Sequence, residues 1–347
     1  MPVYRLAFLG FGNVGQALAR LLLEKREELR AAEIDFVVTG IATGSHGIAI
    51  APDGLDVEAA LALADAGEDL RGLNTAPRVS SGLEFVQHVP ADVLFENTPV
   101  NYETGEPART HIATALKRGM HVATANKGPV VHAYRELTDL AAQMKRSFYF
   151  ESAVMDGAPI FSLFRETLPA ARLLSFRGIL NSTTNLILTR METEGETFAQ
   201  AVAYAQSVGI AETDPSGDVD GWDAAIKVAA LVTVLMGIPL KPQEVDRTGI
   251  RHIGQAQVQE AAAQGKRWKL VCAARRTDAG VEARVAPQLV GPESPLYGVA
   301  GTSSIVTFET DVLGELSVRE DNPGPHTTAY GLLADFLNAV RSEVLCD

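Results

Sequence analysis

Cysteine is nearly absent from this sequence, since Cys272 and Cys346 are its only two examples among 347 residues. Two thiols so far apart in the chain provide neither a disulfide framework nor the ligands of a cysteine-rich metal centre. Cys346 stands beside the C-terminus, where pairing between subunits is conceivable. We nevertheless expect both cysteines to be free thiols.

Excess basic charge and long apolar runs are also missing. The formal net charge is −13, with 30 Lys and Arg against 43 Asp and Glu, and no basic face is evident. A nucleic-acid partner is therefore not expected, because phosphate binding needs such a face. No apolar run approaches the ~20 residues of a membrane span. The N-terminus enters a strand pattern at once, which leaves no room for a signal peptide and predicts a cytoplasmic protein.

The sequence does contain an alternation of strand and helix patterns over its first 150 residues. Buried strand patterns occur at residues 3–9, 34–43, 91–98, 121–126 and 147–154. Amphipathic helical patterns between them predict a Rossmann-type doubly wound parallel sheet with helices on both faces. Later residues give long helical patterns and then a strand-rich stretch over 268–320, which is typical of an α+β domain. The chain closes with an amphipathic helix pattern.

The first strand pattern is followed at once by GFGNVG, a match to G-x-G-x-x-G that opens a helix. This context predicts dinucleotide binding. Gly10 permits the tight turn, Gly12 lets a pyrophosphate approach the backbone, and Gly15 allows close helix–strand packing. Asn13 and Val14 place backbone N–H groups at the helix N-terminus, where the helix dipole favours an anion.

The sequence does not decide between NAD and NADP. An NAD site usually carries a carboxylate near the end of the second strand, where it holds the adenosine ribose. Asp35 lies at the start of that strand pattern rather than its end. At the strand's end, Thr43, Ser45 and His46 offer polar groups without negative charge. Their pattern favours NADP, or use of both cofactors.

A cluster of carboxylates precedes one lysine in residues 211–232. Its members are Glu212, Asp214, Asp218, Asp220 and Asp223. A calcium loop, a solvated acidic surface and a catalytic pocket are competing interpretations. An EF-hand starting at Ser216 needs a bidentate glutamate at its twelfth position. That position is Lys227, which excludes the calcium loop.

Lys227 is the single cation of an apolar helix pattern, between Ile226 and Val228. A lysine in such surroundings needs a partner or a lowered pKa. Asp223 lies four residues earlier, on the same helical face, and can provide that partner. The pair is either a structural ion pair or the support of a catalytic proton donor, and spacing alone does not separate the two.

Three blocks of sequence carry a family resemblance that extends over nearly the whole chain. They are TANKGP at 124–129, GILNSTTNLILTRM at 178–191 and AETDPSGDVDGWDAAIK at 211–227. In this order they resemble the signatures of homoserine dehydrogenase, in a short form without the C-terminal ACT domain. The family interconverts L-homoserine and L-aspartate 4-semialdehyde with NAD(P)(H), in threonine and methionine biosynthesis. We therefore expect no threonine feedback through an ACT domain.

The resemblance also implies a domain plan and roles for individual residues. A dinucleotide-binding domain is expected over 1–149, with the helix of 322–347 returning to it, and a catalytic domain that pairs two subunits over 150–321. By position, the catalytic group corresponds to Lys227, supported by Asp223, with Lys127 as a second candidate that also contacts cofactor. The expected substrate contacts are Glu212, Asp218 and Thr183. The expected cofactor contacts, beyond the glycine loop, are Thr98 and Gly324.

A monovalent cation, often sodium, is a further feature that the resemblance implies. The matching segment is ESAVMDGAP, and the expected ligands are Glu151, Val154, Asp156 and Ala158. Two departures from the family pattern occur at Ser182, where glycine is common, and in the turn NPGPH around Gly324.

Two rival interpretations fit the sequence less well. Aspartate-semialdehyde dehydrogenase uses the same cofactors but needs a nucleophilic cysteine. Cys272 lies in an apolar strand pattern and Cys346 at the terminus, so neither suits that task. A non-catalytic NADP-binding regulator would have no use for the Asp223–Lys227 pair.

Overall fold

The computed structural model describes the backbone of residues 1–344 and the side chains of residues 1–341, so Cys346 lies outside the described residues. Internal contacts divide the chain into two units. The first contains Met1–Pro159 and the segment that starts at Gly324, and the second is Ile160–Pro323. Within residues 1–344, every helix is too short or too polar to span a lipid bilayer.

The first unit is built on a six-stranded sheet. Its strands are β1 (Val3–Leu9), β2 (Asp35–Ala42), β3 (Ile48–Ile50), β4 (Val93–Glu96), β5 (His121–Thr124) and β6 (Phe148–Tyr149). The helices between them are α1 (Asn13–Glu24), α2 (Arg26–Ala31), α3 (Val57–Asp65), α4 (Gly82–His88), α5 (Ala108–Lys117) and α6 (Lys127–Gln143). The order is β3-β2-β1-β4-β5-β6, all parallel except β3, which runs antiparallel to β2. This confirms the predicted doubly wound fold.

The order of strands fixes where a ligand binds in such a sheet. From β1 the chain proceeds outward to β2 and β3 on one side, then returns to β4, β5 and β6 on the other. The carboxyl ends of β1 and β4 therefore mark the topological switch point, outside which ligands bind in open α/β sheets. The glycine loop directly follows β1 and so lies at this point.

The strand pattern at 147–154 is realised only in part. β6 ends at Tyr149, and a 3₁₀ turn follows over Glu151–Ala153. The backbone N–H of Glu151 donates to the carboxylate of Asp335 at 2.9 Å instead of to a neighbouring strand. A side-chain acceptor has thus replaced the sheet partner, which a local hydrophobic pattern cannot reveal.

The second unit holds another six-stranded sheet, in the order β12-β11-β7-β9-β10-β8. Its strands are β7 (Leu173–Ile179), β8 (Asp246–Arg247), β9 (Arg267–Thr277), β10 (Gly280–Val290), β11 (Ser304–Thr310) and β12 (Gly314–Glu320). Its helices are α7 (Ser182–Thr193), α8 (Phe198–Ser207), α9 (Ser216–Val219), α10 (Trp222–Leu231) and α11 (Gln255–Ala263). Neighbouring strands are antiparallel except β8 and β10. This mixed sheet agrees with the predicted α+β character.

The last helix, α12 (Pro325–Val344), belongs to the first unit. Its Phe336 is fully buried and packs edge-on against Phe95 of β4, with ring centroids 6.2 Å apart. Phe95 in turn packs on Phe8 of β1, at 5.2 Å. The core of the nucleotide-binding sheet therefore depends on residues from both ends of the chain.

Candidate active site

The glycine loop of the first unit has the geometry of a dinucleotide cradle. Gly10 has φ of +98°, and a side chain there would lie 2.3 Å from the carbonyl oxygen of Asn97. A side chain on Gly15 would lie 2.6 Å from the carbonyl oxygen of Gly10. A side chain on Gly12, by contrast, would contact no protein atom within 4 Å. The protein does not itself require glycine at this position, so the open space beside Gly12 fits a pyrophosphate.

The first turn of α1 provides the hydrogen-bond donors for such an anion. Asn13 and Val14 begin the helix, and Gly12 is its N-cap with no capping side chain. The first N–H groups of a helix have no partner within it. These groups and the helix dipole together favour a phosphate at this end of α1.

Thr98 and Lys127 follow the ends of two neighbouring strands, β4 and β5. Thr98 donates its backbone N–H to the carboxylate of Glu96 at 3.0 Å. Lys127 is the first residue of α6, whose N-cap is Asn126. The amide of Asn126 donates to the carbonyl oxygen of Thr98 at 3.1 Å. This hydrogen bond connects the segment that carries Thr98 to the N-terminus of α6, where Lys127 lies.

The second unit brings Lys227 and Asp223 together on α10. Lys227 Nζ lies 3.1 Å from a carboxylate oxygen of Asp223, and the two side chains are only 15% and 12% exposed. The same ammonium group donates to the backbone carbonyl of Leu180 at 2.7 Å. No further partner of Lys227 occurs among the described residues, so its third N–H remains available.

Asn181 links two carboxylates beside this lysine. Its Nδ2 lies 2.6 Å from Asp218 and 2.9 Å from Asp223. Its Oδ1 caps α7 by accepting from the backbone N–H of Thr184 at 2.8 Å. Burial raises the pKa of Asp218, and the negative charge of Asp223 adds to this, whereas hydrogen bonds from Asn181 and Thr183 oppose it. Sequence reasoning missed Asn181 as a site residue, although asparagine before a helix pattern is a capping signal.

Glu212 lies apart from this group. It is exposed, and its carboxylate makes no hydrogen bond or ion pair with any residue that the structure describes. Its backbone carbonyl accepts from the side chain of Gln206 at 3.1 Å. Thr183, in contrast, is buried, and its hydroxyl donates to the carbonyl of Ile210 at 3.3 Å. Of the predicted substrate contacts, Asp218 and Thr183 adjoin the Lys227 site directly.

The predicted cation segment folds into a tight, mostly buried turn in the first unit. Glu151, Val154 and Ala158 are each less than a tenth exposed, and Asp156 has φ of +40°. The carboxylate of Asp156 accepts from the hydroxyl of Thr328 at 2.5 Å. Among the described residues, no group of three or more His, Cys, Asp or Glu side chains is placed to hold a metal ion. Any cation in this turn would depend chiefly on backbone carbonyls.

Gly324 stands just before α12. Its N–H donates to the hydroxyl of Thr327 at 3.0 Å, and the same hydroxyl donates to the carbonyl of Gly324 at 2.8 Å. A side chain on Gly324 would contact nothing within 4 Å. Like Gly12, this glycine leaves open space that the protein itself does not fill.

A cavity of about 600 Å³ opens at the end of β2. It begins one residue beyond Ala42, whose carbonyl accepts from the N–H of Gly10 at 2.8 Å. It therefore adjoins the glycine loop, at the end of the strand where the adenosine ribose is held in this fold. Its polar lining includes Thr43, Ser45, Arg71, Asn74, Arg78, Ser80 and Glu84. Sequence reasoning identified the first two but not the arginines, which lie about thirty residues further along the chain.

The charges of this cavity are partly neutralised within the protein. Arg71 pairs with Asp69, and its hydrogen bonds lower the pKa of that carboxyl to about 2. Glu84 accepts from the backbone N–H of Ser80 at 2.7 Å. Arg78 is exposed and makes no ion pair with any described residue. It is therefore the cation of this cavity that remains available to a ligand.

Comparisons with known proteins agree with this geometry. Residues 159–337 match the family model described as homoserine dehydrogenase, and residues 10–151 match its NAD binding domain. Homoserine dehydrogenase from Methanocaldococcus jannaschii is 38% identical over 334 residues, which cover 96% of this chain and 98% of that protein. An NAD(+)-dependent homoserine dehydrogenase from Pseudomonas canavaninivorans is 35% identical and covers 99% of this chain and 97% of its own length.

A solved structure gives the same result for the fold. A hyperthermophilic archaeal homoserine dehydrogenase in complex with NADPH superposes with a TM-score of 0.82 at 29% sequence identity, over 98% of both chains. The glycine loop, the Asp223–Lys227 pair and these full-length similarities lead to one conclusion. The chain belongs to the homoserine dehydrogenase family.

Proposed function

We propose that this protein interconverts L-homoserine and L-aspartate 4-semialdehyde with a nicotinamide dinucleotide, on the route to threonine and methionine. The observation that carries the proposal is the ammonium group of Lys227, fixed by Asp223 and the Leu180 carbonyl with one N–H still available. The bound dinucleotide would supply or accept the hydride at the carbon that bears the substrate oxygen. The residues of this chain then have to manage the proton and hold the amino acid.

Lys227 is the proposed proton donor and acceptor. During reduction of the aldehyde, its available N–H stabilises the negative charge that develops on the substrate oxygen and then transfers a proton to it. During oxidation, the neutral amine accepts the proton of the hydroxyl group. Asp223 and the Leu180 carbonyl keep Nζ in one place, so that little reorganisation is needed at the moment of reaction.

The carboxylates near Lys227 are the proposed site for the ammonium group of the substrate. Asn181 holds Asp218 beside Asp223, and burial together with the negative charge of Asp223 raises the pKa of Asp218 although Lys227 acts in the opposite direction. A substrate ammonium would add a second positive charge to the two carboxylates. Glu212 is proposed as a second contact from the neighbouring loop, and Thr183 as a contact in the first turn of α7.

Lys127 is proposed to serve the substrate carboxylate and the cofactor, and Thr98 and Gly324 to contact the cofactor. The proposed domain plan is a dinucleotide-binding domain over 1–149 with 322–347 and a catalytic domain over 150–321. The two compact units divide instead after Pro159 and after Pro323, so residues 150–159 pack with the first unit. NADP is the proposed preference, because the cavity at the end of β2 offers Arg78 and hydroxyl groups to a 2′-phosphate. Residues 43–46, directly after β2, carry no carboxylate, and Glu84 in the same cavity is held by the N–H of Ser80.

A homodimer is proposed from one face of the second sheet. Direct cross-strand pairing places Ser175, Arg275 and Glu282 on one face, with Arg177 and Arg284 two residues further along their strands. This face borders a cavity of about 600 Å³ and exposes these charged side chains. Association of two copies through this face would bury these exposed strands. Sedimentation velocity measures whether the protein is a monomer or a dimer.

A monovalent cation is proposed in the turn formed by Glu151, Val154, Asp156 and Ala158. The buried backbone of this turn supports the proposal, since carbonyl oxygens suit a hard cation. Thermal unfolding in NaCl and in choline chloride at equal ionic strength tests it. A melting temperature that is the same in both salts would contradict it.

The decisive experiment measures aspartate-semialdehyde-dependent oxidation of NADPH and of NADH at 340 nm. Lys227→Met keeps the apolar stem but removes the charge, and we expect turnover to fall by about 10²- to 10⁴-fold. Cofactor binding should be unchanged. Lys266→Ala, at an exposed lysine, is the matched control and should behave like the wild type. Wild-type protein that binds cofactor but shows no turnover would instead support a non-catalytic regulator.

A further inference from the structure

Glu96 is a fully buried carboxyl group at the last position of β4, and the proposed reaction does not use it. Burial of a charged group is expensive unless hydrogen bonds compensate for it. Burial indeed raises the pKa of Glu96 to about 6, although the surrounding hydrogen bonds act in the opposite direction. These donors are uncharged hydroxyl and amide groups. Because burial of the Glu96 carboxyl group costs free energy, we asked which residues its hydrogen bonds hold in place.

The carboxyl group holds the segment that follows β4 to the end of β5. One oxygen accepts from both the backbone N–H and the hydroxyl of Thr98. The other accepts from the hydroxyl of Thr124 at 2.9 Å. Thr124 Oγ1 in turn accepts from the backbone N–H of Asn126 at 3.0 Å. Because Asn126 also donates to the Thr98 carbonyl, the four residues form a closed ring of hydrogen bonds.

The ring also determines where α6 begins. Asn126 caps this helix, with its Oδ1 accepting from the N–H of Gly128 at 3.0 Å. Lys127 is the residue between them, so its backbone position follows from that of Asn126. A displacement of the ring would move both Thr98 and Lys127.

The position of the ring in the sheet indicates which half of the cofactor it affects. The sheet order is β3-β2-β1-β4-β5-β6. In this fold the end of β2 holds the adenosine ribose, and the strands beyond the switch point form the other mononucleotide half. The ring joins β4 to β5, and it therefore lies on the side of the nicotinamide.

We propose that Glu96 is a positioning residue, which fixes Thr98 and Lys127 for the nicotinamide half of the cofactor through the ring it forms with Thr124 and Asn126. The inference rests on the proposed function and names a residue outside the predicted site. Glu96 acts through its neighbours and does not itself contact the substrate.

The test compares two ligands and several variants. NADPH is titrated by its fluorescence, and 2′,5′-ADP, which lacks the nicotinamide half, by calorimetry. In Glu96→Ala the backbone N–H and the hydroxyl of Thr98 lose their acceptor, whereas the Thr124 hydroxyl keeps only the backbone carbonyl of residue 96. We expect NADPH affinity to fall at least about 10-fold, while affinity for 2′,5′-ADP stays within about 2-fold. Glu96→Gln keeps an oxygen towards Thr98 and can donate to Thr124, so it should largely restore NADPH binding.

Two further variants keep the test decisive. Thr39→Val removes another fully buried hydroxyl of the same sheet, one that donates to the Pro90 carbonyl at 2.8 Å, and it controls for loss of stability. Thr124→Val removes the hydroxyl from the ring but keeps the Glu96 carboxyl group. It replaces Glu96→Ala in the test if that variant does not fold. We expect Thr124→Val to weaken NADPH selectively and Thr39→Val to leave both ligands unaffected.

Three outcomes would overturn the inference. The first is unchanged NADPH affinity in Glu96→Ala, or in Thr124→Val if Glu96→Ala does not fold. The second is an equal loss of affinity for NADPH and for 2′,5′-ADP, and the third is the same loss of NADPH affinity in Thr39→Val at equal stability. Wild-type protein that binds neither NADPH nor NADH would instead refute the proposed function. The two failures are therefore distinguishable.

Discussion

Lys227 donates a hydrogen bond to the backbone carbonyl oxygen of Leu180, 2.7 Å away and 47 positions earlier in the chain. The carbonyl lies between the end of β7 and the start of α7, and Lys227 lies on α10. An ammonium group has three donors. One is directed to this carbonyl and a second to Asp223, so the direction of the third is fixed by the fold.

Asp223 should matter for its charge and not only for its position. Asp223→Asn keeps the size of the side chain but removes the negative charge beside Lys227. We expect kcat to fall by about 10²-fold, because the ammonium loses its counter-charge and an amide donor can face it. Steady-state kinetics with saturating cofactor measures this. Activity within a few-fold of the wild type would leave the pair as a structural contact only.

Asn181 should control substrate binding through the two carboxylates that it joins. The amide of Asn181 donates to both carboxylates and so offsets the repulsion between Asp218 and Asp223. In Asn181→Ala this repulsion is no longer offset, and we expect KM for homoserine to rise by about 10-fold. The variant also loses the cap of α7, at about 1 kcal/mol. Asp56→Ala removes a cap of the same kind from α3, where Asp56 accepts from Ala59 at 2.9 Å. This control should lose similar stability with an unchanged KM.

Arg78 should set the cofactor preference. It lines the cavity at the end of β2, and it is free of ion pairs with the described residues, whereas Arg71 is occupied by Asp69. We expect Arg78→Ala to lower the ratio of NADPH to NADH affinity by about 10-fold, since a phosphate contact with arginine contributes roughly 1.5–3 kcal/mol. Arg71→Ala should have a smaller effect. A ratio that is unchanged in both variants would exclude this cavity as the 2′-phosphate site.

Because of Lys269, the free energy of unfolding should increase as the pH rises into the alkaline range. It is 2% exposed and donates to Asn185 at 3.0 Å, and burial lowers its pKa to about 8. Between this value and the usual one near 10.5, the unfolded chain binds more protons than the native state. The free energy of unfolding therefore increases with pH in this window, by at most about 3 kcal/mol.

Urea unfolding at intervals from pH 7.5 to 10.5 measures this effect, with Lys269→Met as the reference that lacks the titrating group. The stability of the wild type relative to this variant should grow as the pH rises. A constant difference across the window would show that Lys269 titrates outside it.

Local patterns predicted those parts of the site that are themselves local. G-x-G-x-x-G between a strand and a helix places Gly10 and Gly15 correctly, because their roles depend on a turn of a few residues. The spacing of Asp223 and Lys227 predicted a contact, and the structure has it at 3.1 Å. Both features are set by helix or turn geometry within one element.

The remainder depends on contacts between distant elements. The Leu180 carbonyl is a backbone group, which no sequence motif distinguishes from any other. Asn181 carries a capping signal, but its link to Asp218 and Asp223 requires the packing of α7 beside α10. Arg78 is separated from Thr43 by three further elements of the first unit, which are β3, α3 and a 3₁₀ helix at Leu70–Leu73. The burial of Glu96 is likewise decided by the sheet and not by its neighbours in sequence.

The return of α12 to the first unit has a consequence for how the protein is made. Synthesis proceeds from the N-terminus, and domains generally fold as units while the chain emerges. The first sheet, however, buries Phe336 against Phe95, which is more than two hundred residues earlier in the chain. The second unit is continuous and has all its strands and helices available first. The nucleotide-binding unit can therefore complete its core only after the whole of the second unit has been synthesised.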